Sequence, residues 1–323
     1  MTSTDPGSTD RPEETPPETV EEPLGAASRE DSPEPGKELP PALLLAAFEG
    51  WNDAGGASTH SLELIADAWE AEVVHELDPQ DYHDFQVNRP VVGVDADGKR
   101  DLTWPSTTIS VASTPISGRK VVLVQGVEPS FRWRDYCEEI LEVAKGLGVG
   151  TVVGVGALLA DVPHSRPIPV QTSSNDPQVQ ALLGVEGSDY EGPSGITGVL
   201  THLAAERGMH TLSVWAAVPH YVAQPPSPKA TLGLMVRLEE LVGEPLPVGD
   251  LPEDARAWQA GVDELAGQDP DVAEYIHQLE EAKDTAELPE ATGEAIAREF
   301  ERYLRRRDIR GDKGGSGPGP GGL

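Results

Sequence analysis

Cysteine is nearly absent from this chain. Cys137 is the only one in 323 residues, so no disulfide framework can form and a multi-cysteine metal site is excluded. Positive charge is scarce as well. Against 56 acids stand 24 lysines and arginines, for a formal net charge of −32. Such a chain is repelled by nucleic acid and by anionic membrane surfaces, and neither is expected as a partner. No run of 18 apolar residues occurs, so no membrane span is expected. The opening MTSTDPGSTDRPEETPP has no basic leader and no apolar stretch, and does not read as a secretory signal. These absences together point to a cytoplasmic protein. Eight histidines occur, but none at H-x-H, H-x-x-x-H or H-E-x-x-H spacing. No metal site and no cofactor is therefore expected.

What is present divides along the chain. Residues 1–40 hold eight prolines and eleven acids against three bases, with almost no large apolar side chain. Such a segment cannot bury enough surface to offset its conformational entropy and is expected to be disordered. The Gly/Pro-rich tail at 308–323 reads the same way. About 265 residues remain, enough for one large core with an appendage.

Short continuous apolar runs mark strands covered on both faces: ALLLAAF (42–48), KVVLVQGV (120–127), TVVGVGALL (151–159) and TLSVWAAV (211–218). EVVHEL and TTISVAST read as further strands, and the Asp-Gly turn within RPVVGVDADGKRDLTW as a hairpin or ornamented edge. Helical periodicity follows most strands. SFRWRDYCEEILEVAKGLGV places Trp133, Cys137 and Ala144 on one face, so Cys137 reads as a buried structural residue. ADVPHSRPIPVQTSSNDP, with four prolines, reads as a long loop. This alternation implies a three-layer α/β/α sandwich around a mainly parallel, mixed sheet over 41–245. From 246 to 307 the pattern is helical only. Three acidic amphipathic segments are expected there, the first with Trp258, Val262 and Leu265 on one face and the last carrying Ile296, Phe300 and Leu304. Arg305, Arg306 and Arg307 at its end suit the negative pole of a helix dipole.

In parallel sheets ligands gather at the carboxyl ends of the strands. The polar residues there are Glu49, Asn52, Asp53, Glu128, Asp161, His164, Arg166 and His220. Trp51, Tyr221, Phe131 and Trp133 join them as a candidate aromatic contact surface. DAGGAST and GPSGITG could each offer backbone amides to a phosphate, but neither has Walker A or dinucleotide spacing. Gly55 and Gly56 are expected to let the first helix pack close to its strand. Ser58 or Thr59 is expected to cap that helix, and Ser194 to cap the helix that follows it. No G-x-S-x-G elbow makes Ser194 a nucleophile. No catalytic residue is assigned.

EGWNDAGGAST, VEPSFRWRDYCEEIL, ADVPHSRP, VWAAVPHYVAQ and DVAEYIHQLEEA, in this order, resemble the actinobacterial branch of the proteasome assembly chaperone 2 family. The resemblance spans about residues 40–307. It implies a phosphorylase-like α/β/α sandwich with a C-terminal helical portion, homo-oligomers, and proteasome subunits or another protein assembly as candidate partners. Ring-docking relatives often end in a hydrophobic residue, a tyrosine and one more residue. This chain ends GPGPGGL, so insertion of its tail is not expected. The expectation is a non-enzymatic, homo-oligomeric assembly factor. The alternative is a small-molecule-binding protein or enzyme of phosphorylase-like fold. It would bind an anion at WNDAGG and GPSG, with Glu49, Asp53, Asp161, His164 or His220 as acid–base groups. An older suggestion for the wider family, an ATP-grasp carboxylate–amine ligase, finds no lysine-bearing nucleotide loop or metal-binding carboxylate pair in this sequence.

Overall fold

Strand β1 (Leu43–Glu49) is the run LLLAAFE, and its first six residues are buried. Such a run is stable only with both faces covered, and the computed structural model places it at the middle of a sheet. The structure describes Leu39, residues 42–94 and residues 98–287. Leu39 apart, the tails expected at 1–40 and 308–323 lie outside the described residues, as does the third acidic helix expected near 293–307.

The seven-stranded sheet runs in the order β2 (Glu72–Leu77), β5 (Thr107–Ser113), β6 (Lys120–Val127), β1, β7 (Thr151–Ala160), β9 (His210–Pro219) and β8 (Val170–Ser173). β1 pairs in parallel with both β6 and β7, and β7 with β9. β5, β2 and β8 join antiparallel, so the sheet is mixed as expected.

Because strand side chains alternate, neighbours along β1 serve opposite cores. Leu45 and Ala47 pack with Leu62 and Ile65 of α1 (Ala57–Ala68) and with Leu234 and Leu238 of α6 (Pro228–Val242). Leu44, Ala46 and Phe48 pack on the other face with Tyr136, Cys137 and Ile140 of α3 (Trp133–Gly146) and Leu200 of α5 (Ile196–Glu206). Each fully buried leucine contributes about 1.5–3 kcal/mol. Cys137 sits within this packing, and burial, joined by the charge of Glu138, pushes its thiol up to about 12. That is an inert structural cysteine, as its place on the apolar face of the helix suggested.

Short helices α2 (Pro79–Tyr82) and α4 (Pro177–Leu183) fill connections. α7 (Leu251–Ala266) packs on α6, and α8 (Pro270–Glu287) on α7. Among the described residues no helix is long and apolar enough to cross a membrane.

The expected hairpin is present: β3 (Val91–Val94) and β4 (Arg100–Thr103) form a separate two-stranded sheet. Two expectations need correction. The long loop after β7 contains the edge strand β8, whose four residues are too few to show a period. In α7 Val262 is buried, but Leu265 of the same expected stripe is exposed.

The end of α6 is tied back to the sheet by one carboxylate. The helix stops at Gly243, which takes a left-handed conformation at φ 82°. Glu244 then reaches the turn between β5 and β6. It accepts hydrogen bonds from Thr114 Oγ1 at 2.7 Å, from the N–H groups of Ile116 (2.9 Å) and Ser117 (2.8 Å), and from Ser117 Oγ. Desolvation raises its pKa, but these four donors outweigh it and hold the carboxyl at about 2. A depressed folded-state pKa stabilises above the unfolded value near 4.5 and ceases to do so as pH falls toward 2. The stability advantage of the wild type over Glu244→Gln should therefore be constant above that window and shrink within it. Urea midpoints against pH read this directly, and an advantage that grows on acidification would exclude the role.

Candidate functional site

The carboxyl ends of β6, β1, β7 and β9 lie side by side, so four exit loops meet along one edge. α1 and α3 leave the neighbouring strands β1 and β6 on opposite faces, as the two separate cores show. α/β folds hold their ligands in the gap that such a reversal opens.

Here the chain itself fills the gap. β1 turns out through Gly50, at φ 112°, which leaves Trp51 65% exposed and brings Asn52 inside at 1% exposure. The Asn52 carbonyl accepts the Ala157 N–H of β7 at 2.8 Å, and its side-chain Nδ2 donates to Glu128 Oε1 at 3.0 Å. The same Glu128 oxygen accepts the N–H of Ile196, the first residue of α5, at 2.8 Å. Gly195 gives the amide room. A Cβ there would lie 2.3 Å from both Asn52 side-chain heteroatoms. One polar knot thus joins the exits of β1 and β6, the end of β7 and the start of α5.

The second amide cradle is filled in the same way. One Asp53 oxygen accepts the N–H groups of Ser58 (2.7 Å) and Thr59 (3.3 Å) and the Ser58 hydroxyl at 2.6 Å. The other oxygen accepts the Thr59 hydroxyl. A helix N-terminus attracts anions through its unpaired N–H groups and dipole. α1 is answered by Asp53 and α5 by Glu128, both carboxylates of this chain. The hydroxyl caps expected from Ser58, Thr59 and Ser194 are corrected accordingly. Ser58 and Thr59 donate to Asp53, and exposed Ser194 stands outside the knot. Glu49 remains at the rim. Desolvation raises its pKa, and the charges of Asp53 and Glu63 raise it further.

The Gly55–Gly56 turn is also corrected. Its close approach is to the start of α6, not to its own strand. Ser227 donates its N–H to the Gly55 carbonyl at 2.9 Å, and a Cβ on Gly55 would lie 2.5 Å from Ser227 Cβ.

The remaining candidates form a second cluster, covered by the C-terminal helices. His164, 1% exposed, sits 2.8 Å through Nδ1 from the Tyr221 hydroxyl and 2.9 Å through Nε2 from Asp263 of α7. Its carbonyl accepts Lys229 Nζ at 2.5 Å. Arg166 makes a two-pronged contact to Asp284 of α8, at 2.8 and 2.7 Å. Asp161 meets His220 and Tyr275, each at 3.2 Å. Burial pushes the Tyr221 hydroxyl up to about 12, aided by the charges of Tyr275, Glu280 and Asp263 against the opposing His164 N–H. Desolvation also lowers the pKa of Lys229. Asp161, His164, Arg166, His220 and Tyr221 therefore bolt α7 and α8 to the sheet, and do not line an open cleft with Asn52 and Asp53. Trp51 and Phe131 stay exposed, while Trp133 is half-buried and donates its indole N–H to the Pro129 carbonyl at 2.7 Å. Ser227, Lys229, Asp263 and Tyr275 are participants that sequence reasoning missed, since nothing local links them to the strand exits.

Residues 47–266 match the PAC2 family. A PAC2 family protein from Streptomyces avermitilis is 51% identical, with a TM-score of 0.69, over 73% of this chain and 99% of that one. A proteasome-assembly chaperone homologue from Mycobacterium tuberculosis is 44% identical, with a TM-score of 0.66, over 72% of this chain and 99% of that one. An archaeal proteasome activator from Pyrococcus furiosus, at 14% identity and a TM-score of 0.55 over 69% of this chain and 93% of that one, shares the fold alone. None of the curated proteins compared matches.

Proposed function

The chain belongs to the PAC2 family, and from that premise we propose that it is a cytoplasmic, non-enzymatic assembly factor that binds proteasome subunits and acts as a homo-oligomer. The 44% identical mycobacterial relative, a proteasome-assembly chaperone homologue, supports the choice of partner. The observation that carries the reading is the filling of both amide cradles. The anion site of the alternative reading would use the N–H groups at the starts of α1 and α5, and these already hold Asp53 and Glu128. The edge that remains is a rim with exposed aromatic and aliphatic side chains, the composition of a protein-binding surface.

Capture of proteasomal α and β subunits on the tagged full chain is the direct test, and failure of every subunit and half-assembly to bind would remove the proposal. A ligand screen bears on the same question from the other side. Phosphate, nucleosides and nucleotides should leave the melting temperature unchanged, because a ligand stabilises only a fold that binds it. A saturable rise with any of them would favour a small-molecule function.

A further inference from the structure

The rim has an apolar part and an acidic part on three neighbouring strand exits. Trp51 at the end of β1, Leu158 (44% exposed) and Leu159 (50%) at the end of β7, and Phe131 (42%) beyond β6 are its exposed apolar residues. The bridge between Asp53 and Ala157 sets the β1 exit beside the end of β7, where Leu159 lies on the α1 face of the sheet and Leu158 on the opposite one. Glu49, Glu63 and Asp161 surround them. Burial raises the pKa of Glu49, and the charges of Asp53 and Glu63 raise it further, so the three carboxylates are close enough to feel one another.

The complement to this rim lies in the chain's own sequence. Residues 293–307, GEAIAREFERYLRRR, carry five arginines in a chain of net charge −32. Ile296, Phe300 and Leu304 recur there every fourth position, with Arg305, Arg306 and Arg307 directly after them. The reach is also sufficient. α8 passes Asp161, two residues beyond Leu159, through the Tyr275 hydroxyl at 3.2 Å. From Glu287, the last described residue, the nine residues to Ile296 could span up to about 30 Å.

We propose that residues 293–307 dock on the rim of their own chain, with Ile296, Phe300 and Leu304 against Trp51 and Leu159 and the terminal arginines against Glu49 and Glu63. Arginine suits this role because its planar fork grips carboxylates in pairs and stacks on indole. On the assembly-factor reading, a partner would have to displace this segment to reach the edge. The docking itself does not depend on that reading.

Hydroxyl-radical footprinting of the full chain, read at Trp51 by peptide mass spectrometry, tests it without any partner. Trp51 should oxidise several-fold more slowly in the wild type than in a variant carrying Phe300→Asp and Leu304→Asp. Charge reversal by Arg306→Glu and Arg307→Glu should release Trp51 in the same direction. Silence at buried Tyr136 and Cys137 confirms that each variant is folded. Equal oxidation of Trp51 in all three proteins would overturn the proposal. So would protection that disappears on dilution, which would assign the rim to a second copy.

Discussion

Gly55→Ala should lower the free energy of unfolding by about 2–5 kcal/mol, and Gly56→Ala by only about 1–2 kcal/mol. Both glycines are left-handed, at φ 64° and 63°, so each loses a similar amount when a Cβ is added. The difference comes from what that Cβ meets. At Gly55 it would lie 2.5 Å from Ser227 Cβ and 3.6 Å from Ser227 Cα. Ser227 cannot retreat, because it is buried and its N–H is bound to the Gly55 carbonyl. Relief would require moving the start of α6, with Lys229 and its contact to His164. At Gly56 the nearest atom is Pro225 Cβ at 3.4 Å, an ordinary contact. Urea denaturation of the two variants separates these terms. Equal costs would mean that backbone handedness alone demands the glycines and that the approach to α6 is incidental.

The same contrast explains what the amino-acid sequence discloses and what it hides. β1, β6, β7 and β9 were legible because a strand covered on both faces is a nearly continuous apolar run. α3 was legible because a helix covered on one face must not be. β8 was not, since four residues beside two prolines carry no periodicity. The strand exits were recognisable as the place where polar groups converge, yet their division into two clusters was not. Asn52 and Glu128 stand 76 residues apart, and His164 and Asp263 stand 99 apart. The capping residues misled for an energetic reason. Ser58, Thr59 and Ser194 have the right chemistry to cap a helix, but carboxylates form charge-assisted hydrogen bonds roughly twice as strong, and Asp53 from the preceding turn and Glu128 from 68 residues away take those places. Tertiary structure therefore overrode local preference at the start of α5, while at α1 a carboxylate of the preceding turn did so locally, and both helix starts are closed to an outside anion.

Glu128→Ala tests that statement most severely, and should cost about 2–4 kcal/mol. Two donors lose their acceptor at once. One is Asn52 Nδ2, on a side chain only 1% exposed, and the other is the Ile196 N–H at the head of α5. An unpaired buried donor costs about 1–3 kcal/mol, and neither can swing out to water without opening the contact between Asn52 and Gly195. Glu128→Gln should cost about half as much, because it keeps an oxygen acceptor while losing the charge. The alanine variant also recreates the vacancy that the native chain closes. Acetate or formate should then raise its melting temperature along a saturation curve, by binding the freed amides of α5. The wild type should show only the response to chloride at matched ionic strength. If acetate stabilises both proteins alike, or if the alanine variant is as stable as the wild type, Glu128 is not the internal ligand of this helix. The case against a phosphate-binding enzyme would then lose half its structural basis.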